Sequence, residues 1–163
     1  MSLKVKWLAR RFGECCMKKT DKKRLYTVCE ANGAEFLVMS QLMIRGIWTY
    51  KTYVNMPGYD LLCTNKIGNK VVRVQVKSRT PSNAGYGIQL SNNETDFVVY
   101  TRLNRGFNEK SRGRDVAIKE PEFWILPIEL FKSSINKTTH QLKHFDDYNQ
   151  YKDNWKLIMD YVE

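Results

Sequence analysis

No stretch of this 163-residue chain approaches the ~20 consecutive apolar residues that a membrane-spanning helix needs. The first residues, MSLKVKWLARRFG, lack the long apolar centre of a secretory leader, so a soluble cytoplasmic protein is expected. Cysteine is scarce: Cys15, Cys16, Cys29 and Cys63 form no CxxC pair, which argues against a zinc knuckle. The adjacent Cys15 and Cys16 do not resemble a disulfide framework, and free thiols in a reducing compartment are expected. There is no GxxxxGK[ST], hence no P-loop nucleotide site, and GYG at 85–87 is too short for a dinucleotide fingerprint. Repeats and low-complexity linkers are also missing. The length fits one domain, 1–163, able to bury a core without staples.

Acid is in short supply. Lys and Arg number 27 against 17 Asp and Glu, a net charge of +10. The excess is clustered. The basic N-terminal segment, 1–24, has nine bases and two acids, 65–80 has five bases and no acid, and 102–119 has six bases and two acids. Clustered base is the electrostatic footprint of a polyanion binder, although a basic surface can also serve solubility alone.

The pattern of what is present reads as α/β. Ala34, Leu37, Val38, Leu42 and Phe36 make an apolar stripe at helical spacing over 25–45, and Gly46 is a stop. IWTYKTYV, YDLLCT and VVRVQVK are rich in β-branched and aromatic residues and read as strands. In the last of these Val72, Val74 and Val76 alternate with Arg73, Gln75 and Lys77, one apolar face and one polar. Residues 66–69 are a hairpin turn and 80–87 a loop. DFVVYTRL (96–103) is a fourth strand, and FWILPIELF (123–131) is a fifth that Pro127 ends before a short helix. Tyr148, Tyr151, Trp155, Ile158 and Val162 mark an amphipathic C-terminal helix over 146–162.

Buried strands normally avoid a lone Asp and a mid-strand Lys, and this chain has both. Pairing Asp60 with Gln75 centres the hairpin between Ile67 and Gly68, inside the expected turn. The register that closes the hairpin therefore sets Asp60 beside Gln75, and the strand period puts Lys77 on the same face. A carboxylate, an amide oxygen and an ammonium in reach of one another suit hydrolysis. Asp60 offers a hard oxygen to Mg²⁺, and the Gln75 side chain and the Val76 carbonyl are further donors. A cation there activates water and offsets phosphate charge, while Lys77 orients the water or stabilises the transition state. Glu35, on the preceding helix, is the second acid. Taken singly, each residue also has a bland reading as a solvated acid, a turn residue or the wet face of an edge strand.

GAEFLV with Glu35, PGYD with Asp60 and QVK with Gln75 and Lys77 together resemble the PD-(D/E)xK nuclease superfamily, in a QxK variant. The form is most similar to its Holliday-junction resolvase and intron-encoded homing endonuclease branches. The resemblance runs from about Asn32 to Leu103, with FWILP similar to a later strand. It departs from the usual pattern at Gln75, where Glu or Asp is customary, and in the residues between Pro57 and Asp60. It implies a restriction-endonuclease-like αβββαβ core, with a mixed central sheet flanked by helices. It further implies Mg²⁺-dependent hydrolysis of DNA phosphodiesters, with Mn²⁺ able to substitute, leaving 5′-phosphate and 3′-hydroxyl ends. Glu35, Asp60, Gln75 and Lys77 would be catalytic, with Glu35, Asp60, Gln75 and Val76 on the metal. Two strands need two active sites, so a homodimer or higher symmetric oligomer is expected.

Lys18, Lys19, Lys22, Lys23, Arg24, Arg79, Arg102, Arg105, Arg112 and Arg114 are the candidate DNA contacts, each phosphate adding a salt-dependent increment. Two alternatives stay open: a catalytically inactive nucleic-acid-binding module of the same fold, and a nuclease toxin with a partner inhibitor. His140 and His144, four apart, are read as surface polar groups rather than a metal pair, with Asp146 or Asp147 capping the last helix.

Overall fold

The computed structural model describes residues 19–52, 58–80, 87–90, 94–105, 117–132 and 139–163, with side chains from residue 27 onward. Helix α1 (Lys19–Ile44) leads into strands β1 (Trp48–Lys51), β2 (Leu61–Thr64) and β3 (Val71–Arg79). The short β4 (Gly87–Ile88) follows, then β5 (Phe97–Arg102), β6 (Glu122–Pro127) and helix α2 (Glu129–Lys132). The chain ends through β7 (His140–Gln141) and helix α3 (Lys156–Val162).

Five strands form one sheet in the order β1-β2-β3-β5-β6. β3 and β5 are parallel and the other neighbours antiparallel, which makes the expected mixed sheet flanked by helices. β4 and β7 form a separate two-stranded pair.

α1 ends where glycine allows it. Gly46 has φ of +84°, and its N–H donates to Met43 O at 2.9 Å while Ile47 N–H reaches back to Leu42 O at 3.1 Å. That pairing satisfies two of the last carbonyls of the helix, and Ile47 then packs with Leu42 in the core. Of the expected stripe, Ala34, Val38 and Leu42 are buried, and Leu37 packs against them, but Phe36 faces out, with the Lys51 ammonium 4.7 Å from its ring centre. The β2–β3 turn closes on Gly68, with φ of +75° and its N–H on Asn65 O at 3.0 Å.

The strand period divides the core in two. Leu61, Cys63, Val72, Val74 and Val76 face α1 and α3. On the opposite face, Val98, Tyr100, Trp124 and Leu126 are covered by Ile88, Phe131, Leu142 and Phe145. That second core lies over β5 and β6.

The β3–β5 crossover carries β4, which begins at Gly87, the last residue of the expected loop. Two expectations need correction. The continuous helix over 146–162 is instead a 3₁₀ turn (Tyr148–Tyr151) followed by α3. Asp147 and Asp153 are left-handed at φ of 46° and 52°, and Lys152 bridges to Trp124 at the edge of β6. The segment thus wraps that edge: Tyr148 and Tyr151 pack on the second core, and Trp155, Ile158 and Val162 on the first. One straight helix cannot serve both faces. Finally, His140 is buried, edge-on to Phe131 and stacked on Phe145, rather than a surface group. Asp147 precedes the 3₁₀ turn without a side-chain cap hydrogen bond.

Candidate functional site

Asp60 stands just before β2, and its backbone is fixed from both sides. Its N–H donates to Val74 O at 3.0 Å, and its carbonyl accepts from Thr52 N and Thr52 Oγ1, each at 3.0 Å. The β2–β3 ladder ends at the Leu61–Val74 pair, and with its N–H also on Val74 O, Asp60 stands at the end of that ladder rather than in a regular pair with Gln75. The Asp60 carboxylate accepts the Val76 N–H at 2.7 Å.

Gln75 is only 5% exposed, and its Oε1 has no hydrogen-bond partner among the described residues. A buried, unpaired amide oxygen is costly, and a hard cation is a group that would satisfy it. Lys77 lies on the same face, near enough to Asp60 for each charge to act on the other, without a direct ion pair. Burial pushes the Asp60 carboxyl up from its ordinary value; the Val76 N–H opposes this, and the Glu35 charge adds to it. Burial likewise pulls the Lys77 ammonium down, against the attraction of Asp60. Both groups are thus held closer to neutrality than in water.

Glu35, on α1, pairs with Lys51 Nζ at 2.8 Å. The same ammonium donates to Asn32 Oδ1 at 2.7 Å. Lys51 also acts on Asp60, so the site has two lysines, one from β1 and one from β3. Sequence reasoning missed Lys51 and Asn32; a lysine in a short strand carries no signal of its own. Among the described residues no three His, Cys, Asp or Glu side chains cluster as a metal cage. The Asp60 carboxylate and the unpaired Gln75 amide oxygen are hard donors, of the kind that suits a hard divalent cation and not a soft one.

The candidate DNA contacts scatter. Arg79 donates to Ser78 O at 2.9 Å and Gly87 O at 2.6 Å. Arg102 pairs with Glu122 at 3.0 Å and lies over the Trp124 ring. Arg105 is exposed. Lys19, Lys22, Lys23 and Arg24 belong to α1, while Lys18, Arg112 and Arg114 lie outside the described residues. Cys29 is exposed and free. Cys63 is buried beside Thr49, with its thiol pushed up to about 11, so it is no nucleophile.

No protein-family model matches the sequence, and no curated protein matches it. Among solved structures, the chain is similar to the bacterial homing endonuclease I-Ssp6803I, with a TM-score of 0.50 and 18% identity. The match covers 80% of this chain and 89% of that one. At that identity the likeness concerns the fold: an α/β architecture with a mixed sheet flanked by helices. No helix among the described residues is long and apolar enough to cross a membrane.

Proposed function

We propose that this chain is a metal-dependent DNA endonuclease of the PD-(D/E)xK type, in a QxK variant, working as a homodimer or higher symmetric oligomer. The observation that carries the reading is the grouping at the end of the β2–β3 ladder: a half-buried Asp60 carboxylate on the Val76 N–H, the unpaired Gln75 amide oxygen in β3, and a desolvated Lys77 ammonium within its electrostatic reach. A fold shared with a structure described as a homing endonuclease supports it, as does the net charge of +10.

Asp60, Gln75 and Glu35, with the Val76 carbonyl, would hold Mg²⁺ or Mn²⁺. When bound, that ion supplies Lewis acidity and neutralises charge at the scissile phosphate. Lys77 presents its positive charge to the phosphate as negative charge grows, in a partly dry site where that interaction is strong. The Val76 N–H fixes the Asp60 carboxylate, so little reorganisation remains for the reaction. Hydrolysis leaves a 5′-phosphate and a 3′-hydroxyl.

The test is cleavage of plasmid and four-way-junction DNA with Mg²⁺ or Mn²⁺, against EDTA and Asp60→Ala. Metal-dependent cutting lost in the variant supports the reading, and cutting retained by Asp60→Ala refutes the site. Salt-sensitive binding without cutting, in wild type and in Gln75→Glu alike, would favour a binding module, as Glu35 tied to Lys51 and a neutral Gln75 would then suggest.

A further inference from the structure

The nuclease reading uses the sheet face of Gln75 and Lys77, yet that face continues and is open. One row outward from Gln75 stand Arg73, Leu62 and Tyr50; the next row is Val71, Thr64 and Trp48. Same-face residues recur every two positions, so these rows lie about 7 Å and about 14 Å along the strands from Gln75. Trp48 and Tyr50 are each 51% exposed, and Val71 is 49% exposed. Where the face passes to β5 and β6 the second core covers it; over β1 and β2 no described residue does. Beyond the outer row the hairpin turn holds Lys66 and Lys70, both exposed and without an ion pair among the described residues.

We infer that this strip binds a single-stranded flank of the DNA substrate, with unstacked bases on Tyr50 and Trp48 and phosphates drawn to Lys66 and Lys70. The inference rests on the endonuclease reading and narrows its substrate to DNA whose strand is unpaired beside the cut. Two rings on alternate residues of one strand make a stacking ladder whose step is roughly the reach of one unstacked nucleotide. A blunt duplex hides its base faces and offers the rings nothing. Charge selects the occupant. Lys66 and Lys70 are the exposed bases at the strip's outer end, and they attract a polyanion.

The test is fluorescence anisotropy in EDTA with two labelled probes, a duplex bearing a single-stranded flank and the blunt duplex. Trp48→Ala and Tyr50→Ala should each weaken the flanked probe about tenfold and leave the blunt one nearly unchanged. Trp48→Phe, which keeps a ring, should retain most of the affinity. Equal losses on both probes, or none on the flanked probe, would overturn the inference. Salt-sensitive binding of both probes without preference for the flank overturns it alone. Failure of wild type to bind either probe at any salt overturns the nuclease reading as well. Sedimentation assigns the strip to a second copy, against this inference, if Trp48→Ala dissociates an oligomer. Half-exposed Trp48 and Tyr50 lie outside both cores, and equal thermal midpoints check that the variants fold.

Discussion

Two acid–base pairs stand along β3, four residues apart, and they are built to opposite ends. Arg73 grips Asp96 with Nε at 3.1 Å, Nη2 at 2.9 Å and its own backbone N–H at 2.8 Å. Burial pushes Asp96 up, but these donors outweigh it and hold the carboxyl below its ordinary value. Asp60 accepts one backbone N–H, and there burial wins and the carboxyl rises. Lys77 beside it is drawn down rather than paired. The first pair joins the crossover to β3, and folding uses its charge fully. The second holds charge that the fold does not need, the pattern expected where charge serves chemistry.

The largest separation should appear in catalysis. Lys77→Met removes a charge aimed at the phosphate and should slow single-turnover cleavage on the order of 10²–10³-fold. Asp96→Asn should leave cleavage by the folded fraction unchanged. Comparable losses in the two variants would erase the distinction between site and clamp.

Stability should separate them in the other direction. Asp96→Ala strands the Arg73 guanidinium and a backbone N–H, and should cost about 2 kcal/mol in urea unfolding. Because the folded-state value of Asp96 lies below its ordinary 3.8, its contribution is present above that pH and is lost as pH falls through the folded value. Asp96→Ala should therefore flatten the acid limb of the stability profile; an unchanged limb would show that the clamp contributes little.

Gln75→Glu sharpens the comparison from within the site. A second carboxylate at buried position 75 repels Asp60, and without metal it should destabilise the fold by about 1–3 kcal/mol. A cation held by both acids stabilises only the folded state, so Mg²⁺ should raise the thermal midpoint of the variant more than that of wild type. Equal midpoint shifts would mean that no cation sits at residue 75.

Much of this was legible in the sequence because it depends on period and turn. Alternating Val72, Val74 and Val76, with a turn around Gly68, foretold the β2–β3 register as far as Leu61 and Val74, but not that the Asp60 N–H would also turn to Val74. Gly46 announced the end of α1. What escaped depends on tertiary packing. The C-terminal stripe has helical spacing, yet its two ends serve two cores on opposite faces, which periodicity cannot reveal. Phe36 fits the helix stripe but lies beyond what the sheet can cover. Lys51 has no motif, and only the approach of α1 to β1 brings it to Glu35 and Asn32. The Arg102–Glu122 pair shows the converse: a base counted toward DNA is occupied by its neighbour strand.

The smallest effect tests the comparison most directly. Asp60→Asn keeps an oxygen for the Val76 N–H and removes the charge. The folded-state value of Asp60 lies above 3.8, so its contribution to stability is fully present below that pH and is lost as pH rises through the folded value. At neutral pH wild type has already lost it. Asp60→Asn should therefore be the more stable protein there, by under about 1 kcal/mol because the carboxyl is partly solvated. That advantage should shrink as pH is lowered toward 3.8. Asp96 predicts a slope of the other sign in the same chain. If urea titrations of Asp60→Asn and Asp96→Ala against wild type diverge from it with the same pH trend, the two pairs are alike, and the case for a site at Asp60 loses its electrostatic support.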